Sequence, residues 1–188
     1  MKTTIVYLLG HYGVGKLTVA RALCVRTGAC LFDNHLTNNV IFSLIGADGK
    51  TPLPPRVWEL VWNVREQAVA AIDELAPSDL SYVLTNALTD APMDRTAFAQ
   101  IEALATRRGS LFVPVILDCS ETENARRVEA PGRAAGLKHT DAASALARRR
   151  AVTPLPINHP NRLDLDNTRL SPGEAVDAIL AHIERLSP

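Results

Sequence analysis

Apolar residues are distributed along this chain in two alternating patterns. Residues 4–9, 29–32, 81–85 and 111–117 are short, nearly unbroken apolar runs rich in residues that favour strands, and 162–166 alternates leucine with aspartate. Bounded by glycine and polar residues, these runs predict buried strands. Between them apolar positions recur three and four apart, which predicts helices. Leu17, Ala20 and Cys24 make such a face over 16–26, closed by Gly28. Further helices are expected over 36–45, 56–76, 92–107, from 120 onward, and over 141–150. In the second of these Trp58, Val61, Trp62, Val69 and Ile72 share a face, where the tryptophans either complete the packing or border a small-molecule pocket. Ser120 to Glu123 and Ser171 to Glu174 both match a capping box, in which the serine hydroxyl and the glutamate carboxylate each satisfy an amide of the first turn. Ala175, Val176, Ile179 and Ile183 then give the last helix a docked apolar side. Pro114 is the misfit, because it lacks the donor that the centre of a strand uses.

Five strands alternating with helices imply a mostly parallel sheet covered on both faces, a three-layer α/β arrangement. Such sheets gather their binding loops outside the carboxyl ends of the strands. Residues 10–16, Asp33, Thr85 to Asp90, Asp118 and Asn167 are therefore expected to converge. With 188 residues and 47% apolar content the chain can form one well-buried domain, residues 1–188, and is not of the disordered or fibrous class. Twenty acidic and twenty basic residues cancel, which removes the overall attraction that extended nucleic acid would need. No export signal is expected, and no run reaches the roughly 18 to 20 apolar residues of a membrane span. A cytoplasmic protein is the expectation. Cys24, Cys30 and Cys119 have no metal-like spacing and read as small apolar residues in a reducing compartment.

The sharpest chemical signal lies between the first strand and the first helix: Gly10, His11, Tyr12, Gly13, Val14, Gly15, Lys16, Leu17 and Thr18. Glycines allow a compact loop whose amides point inward, and Lys16 with the positive end of a helix opposes phosphate charge. The strict motif has serine or threonine directly after the lysine, whereas here Leu17 intervenes and Thr18 supplies the hydroxyl. This stretch resembles the nucleoside monophosphate kinase and shikimate-kinase-like superfamily, whose adenylate-kinase-like members use a GxPGxGKxT loop. Tyr12 stands where proline is frequent, and Leu17 where glycine is.

The resemblance implies a three-layer P-loop kinase fold with a five-stranded mostly parallel sheet and a short lid region, acting as an ATP- and Mg2+-dependent small-molecule kinase. It puts Lys16 on the transferred phosphates and Thr18 near phosphate or magnesium. Asp118 through Arg127 looks like the entry to an arginine-bearing lid over 121–150, which would make Arg126, Arg127 and Arg133 candidates to close over the phosphates. The alternative for each is a solvated helix position. Residues 121–150 carry a net charge of +3, suited to a triphosphate. Arg148, Arg149 and Arg150 fit either a polyanion patch or a helix end, where cations favour the dipole. By the same resemblance Asn167 lies in an adenine-contacting turn, or it serves as a capping connection.

Phosphoryl transfer needs an oriented acceptor and neutralised charge more than a covalent relay. Asp33 ends the second strand beside the phosphate loop, and the resemblance gives it a base or metal-organising role, preferred over Asp118. The competing reading is a local cap with His35. No acid ends the third strand, where Thr85 and Asn86 either bind an acceptor or merely close the strand. His11 either donates to phosphate or is a surface loop residue. Acceptor-side helices are expected over 35–76, with Arg56 and Arg65 as candidates for an acceptor phosphate or carboxylate or as solvated cations. Residues 30–100 carry a net charge of −5, which keeps sugars, nucleosides and other weakly charged acceptors in view. A nucleotide-dependent switch with weak hydrolysis uses the same loop and is the alternative function.

Overall fold

A computed structural model of the chain describes residues 3–49, 51–130 and 141–186. Its elements run β1 (Thr4–Leu9), α1 (Lys16–Thr27), β2 (Cys30–Asp33), α2 (Asn34–Leu44), α3 (Pro55–Leu75) and β3 (Tyr82–Thr85). They continue α4 (Pro92–Arg107), β4 (Leu111–Asp118), α5 (Glu121–Val128), α6 (Ala142–Ala151), β5 (Leu163–Asp166) and α7 (Pro172–Leu186). The five strands form one sheet in the order β2-β3-β1-β4-β5, and every pairing is parallel. Crossover helices cover both faces, so the architecture is the expected three-layer α/β one.

Burial of both faces explains why β1 is apolar throughout rather than alternating. Val6 and Leu8 point into a layer completed by Val19, Ala20 and Leu23 of α1 and by Ala175, Val176 and Ile179 of α7. Ile5, Tyr7 and Leu9 point to the other side, against Val69 of α3 and Ala97, Ile101 and Leu104 of α4. A smaller cluster of Phe42, Val57 and Val61 joins α2 to α3. Trp62 packs onto the second layer, while Trp58 stands edge-on to Phe42 with ring centroids 5.6 Å apart.

Pro114 fits because of strand parity. Phe112 O accepts from Asn161 Nδ2 at 2.9 Å and Asp118 O from Asn167 N at 2.9 Å, so the even-numbered residues of β4 turn their backbone polar groups toward β5. Pro114 faces the same edge one residue before the β4–β5 ladder starts at Val115, where no partner strand calls on its missing donor. Of the two expected capping boxes, only that of α7 is reciprocal: Glu174 N donates to Ser171 Oγ, and Ser171 N to Glu174 Oε2. At α5 Ser120 Oγ accepts from Glu123 N, but the Glu123 carboxylate is taken by Arg126 and Arg127, and Ser120 N turns to Thr168 Oγ1. Two arginines outcompete one backbone amide for a carboxylate.

Candidate functional site

The loop over residues 10–15 leaves the carboxyl end of the central strand and enters α1. Gly10 and Gly13 have φ values of 140° and 86°, and a Cβ on Gly13 would lie 2.6 Å from Val128 Cγ2. A Cβ on Gly10 would collide with the carbonyl oxygen of Leu117. Both positions thus need glycine for conformation and for space. Val14 is fully buried in the α1–α7 layer and anchors the loop to the core.

The loop's carbonyls are held from outside. Lys16 Nζ donates to Gly10 O and His11 O, each at 2.8 Å. Asn124 Nδ2 donates to Tyr12 O at 2.7 Å, and Asn167 Nδ2 and Arg127 Nη1 to Val14 O at 2.9 and 3.0 Å. α1 begins with no side-chain cap and no acid in its first turn, which makes its amino end chemically suited to an anion. Leu17 and Thr18 lie in this first turn, Leu17 half-buried and Thr18 exposed.

Arg127 is a brace for this loop. Beyond Val14 O it donates to Asn167 Oδ1 and Asn167 O, each at 2.9 Å, and its Nε to Glu123 Oε1 at 2.7 Å. Arg126 lies on the outside, 72% exposed and bridged to Glu123. Hydrogen bonds from Arg126 and then Arg127 pull the Glu123 carboxyl down to about 2. Arg133 lies outside the described residues.

Across the mouth of the loop stands α6, and its three arginines each have a separate address. The Arg148 guanidinium lies 5.3 Å from the Tyr12 ring centroid. Arg149 Nη2 donates to Asp118 Oδ1 and Cys119 O, each at 2.8 Å, and Arg150 pairs with Glu121. Arg149 Nη1 is buried without a hydrogen-bond partner. The chain after α6 is pinned to the segment after β3, with Asp90 N donating to Thr153 O and Leu155 N to Leu88 O. Together Gly10, His11, Tyr12, Leu88, Arg148 and Arg149 line a cleft. Burial first, and then the charges of Arg149 and Lys16, hold His11 below its ordinary 6.5, with Asp118 opposing them.

The second half of the site lies at the carboxyl ends of β2 and β3. Register places Asp33 beside Thr85, and Thr85 beside Leu8 of β1, so Asp33 stands two strand spacings, roughly 10 Å, from the phosphate strand. Asp33 occupies the N-cap position of α2 without capping it; its carboxylate instead accepts from Thr85 Oγ1. His35 turns to Asn39. Asn86 Nδ2 and Arg65 Nη2 both donate to Tyr7 Oη, at 3.1 and 3.2 Å. Arg65 is only 5% exposed, lies 5.9 Å from the Phe32 ring centroid, and has an Nε with no partner. Arg56, by contrast, is exposed and paired with Glu59.

Among the described residues, the buried polar side chains sort into two sets. Asn124 and Asn167 hold the phosphate loop, while Thr37, Asn38, Arg65, Thr85 and Asn86 surround the ends of β2 and β3. Asn124, Thr37, Asn38 and the particular role of Arg149 carry no sequence signal: their partners are distant in the chain and their spacing matches no motif. No group of three or more His, Cys, Asp or Glu residues able to hold a metal occurs among the described residues, and no helix there is long and apolar enough to cross a membrane.

No protein-family model and no curated protein matches this sequence. Solved structures do match it along nearly its whole length. A gluconokinase from Sinorhizobium meliloti 1021 is 20% identical, with 99% of this chain and 94% of that one covered and a TM-score of 0.62. A sugar kinase from Janibacter sp. HTCC2649 is 18% identical over 97% and 95% of the two chains, with the same TM-score. Shikimate kinase from Aquifex aeolicus is 14% identical over 98% and 100%, with a TM-score of 0.51. The chain shares the three-layer α/β fold of these kinases.

Proposed function

We propose that this chain is a cytoplasmic, ATP-dependent small-molecule kinase that moves the terminal phosphoryl group of ATP to a small hydroxyl- or phosphate-bearing acceptor. The observation that carries this reading is the pairing of the glycine loop that leads from β1 into α1 with a cluster of polar side chains, Asp33, Arg65, Thr85 and Asn86, around the ends of β2 and β3 of the same sheet. Arg65 Nε is buried in that cluster without a hydrogen-bond partner, and a bound acceptor would supply one.

In this reading the amides of residues 10–16 and the Lys16 ammonium take the phosphates, and Lys16 exchanges the carbonyls of Gly10 and His11 for phosphate oxygens as charge develops. Arg127, Asn167 and Asn124 are positioning residues that fix the curvature of the loop, and the turn at Asn167 borders the base. Arg149 Nη1 supplies a further donor to the phosphates, with Arg126 and Arg133 as outer cations. The acceptor hydroxyl gives its proton to Asp33, held in place by Thr85, while its oxygen forms a bond to the terminal phosphorus. The bond from that phosphorus to the bridging oxygen breaks, and ADP leaves. Asn86 and Arg65 hold the acceptor, Arg65 through any anionic group it carries, and Arg56 stands at the rim.

Magnesium fits this donor set. It is ordinarily held by one or two protein oxygens together with phosphates and water, and Thr18 and Asp33 are the groups that would hold it here. When bound it would neutralise charge on the phosphates. Among the described residues no carboxylates cluster, which suits a mostly phosphate-borne ion better than a dedicated protein cage.

A metabolite-library screen for acceptor-dependent ADP formation, with the phosphorylated product identified by mass, tests the reading. Lys16→Ala is expected to weaken MgATP binding about 10- to 100-fold while leaving adenosine binding nearly unchanged. Asp33→Asn is expected to keep much of the ATP binding and lose about 100-fold or more in turnover, whereas Asp118→Asn is not. Nucleotide-dependent affinity for a protein partner with no phosphorylated product would replace the kinase by a switch.

A further inference from the structure

Tyr12 breaks the usual pattern of the loop, and the structure gives its ring a partner. We propose that Tyr12 is a positioning residue: its ring holds Arg148, and through it α6, so that Arg149 meets the terminal phosphate of the bound nucleotide. The proposal rests on the kinase reading of the site and adds a part to it.

The Tyr12 backbone is fixed from beneath by Asn124, so the ring is presented at a defined point on the rim of the loop. The ring is 37% exposed, and the Arg148 guanidinium at 5.3 Å lies within the range of a cation–π contact. Arg148 and Arg149 are adjacent in the last turn of α6. The contact made by one therefore restricts where the other can reach. Arg149 is anchored at its Nη2 by Asp118 and Cys119, while its buried Nη1 has no partner and lines the same cleft as Gly10 and His11. Those two residues are the ones whose carbonyls hold the Lys16 ammonium. The unpaired donor thus stands by the end of the loop where the lysine works, which is where a triphosphate has one group more than a diphosphate. A proline at position 12 would offer no ring face to a cation.

Calorimetric titration of the full chain with MgATP and with MgADP tests this without an acceptor. Tyr12→Leu is expected to weaken MgATP about two- to fivefold and MgADP less, lowering the preference for the triphosphate, while Tyr12→Phe keeps both values because the contact uses the ring face. Arg148→Met, a change at an exposed position, should reproduce the Tyr12→Leu loss, and the double variant should lose no more than either single one. An unchanged triphosphate preference in Tyr12→Leu and Arg148→Met, or a Tyr12→Phe variant as weak as Tyr12→Leu, would overturn the proposal and leave the kinase reading standing. Failure of the unaltered chain to bind MgATP would sink both.

Discussion

His11 is where protonation meets the phosphate binding proposed for this loop. Burial, and then Arg149 and Lys16, hold its imidazole below 6.5, which favours the neutral form in the folded chain. A group whose folded value is depressed favours folding above its unfolded value; that contribution is lost as pH falls below about 6.5, where the unfolded chain takes up the proton first. Phosphates entering the loop reverse the local field and favour imidazolium. Nucleotide binding is therefore expected to take up a proton at His11, and MgATP affinity to rise as pH falls through the region between the free and bound values. Calorimetry in two buffers of different ionisation enthalpy measures that uptake, and His11→Gln should abolish it. An uptake that survives in His11→Gln would assign the proton elsewhere. Composition alone could not have told this histidine from a surface one, because the decisive neighbour is Arg149, far along the chain.

At the level of elements, α5 behaves as a strut between the phosphate loop and the turn that follows β5. Arg127 spans Glu123, Val14 and Asn167, and removing it costs all three a hydrogen bond: the Glu123 carboxylate keeps Arg126 and Val14 O keeps Asn167 Nδ2, but both oxygens of Asn167 lose their arginine donor. Arg127→Met is expected to lower stability by about 2 kcal/mol and to weaken triphosphate binding through the loop. A thermal melt with and without MgATP checks it, and an unshifted melt would show that the strut carries no load. The start of α5 was legible in the sequence through Ser120, and its arginines through their number, but the allocation of Glu123 was not. A capping box and an arginine clamp make the same local pattern, and only the presence of Val14 and Asn167 on the far side decides between them. The arginines of α6 pose the same problem. They are consecutive on a helix that a dipole argument already accounts for, yet they reach Tyr12, Asp118 and Glu121 on three separate segments.

For the molecule as a whole, the layers were legible because the inner strands β1, β3 and β4 are apolar on both sides, a demand that a doubly covered sheet makes. The glycine loop over residues 10–15 was legible as the link between β1 and α1 because its spacing and its flanks agree. Asp33 could be placed at the carboxyl edge from its position after an apolar run, whereas the burial of Arg65 and the exposure of Arg56 depended on how α3 rolls against Tyr7 and Phe32. The order of the strands has a further consequence, for biosynthesis. β1 occupies the centre of the sheet, yet Ile5 pairs with Tyr82 and Thr4 with Leu111, so the strand is made long before either neighbour. At about 5 to 20 residues per second, several seconds separate its emergence from theirs. Nascent chains arrested after Arg107 are expected to be cut by protease at Tyr7, which is fully buried in the finished protein, while the released full chain resists. Equal resistance would mean that β1 finds cover before β4 exists. During that interval the strand that will carry the phosphate loop is an exposed apolar segment, and a ribosome-associated chaperone is the natural holder for it.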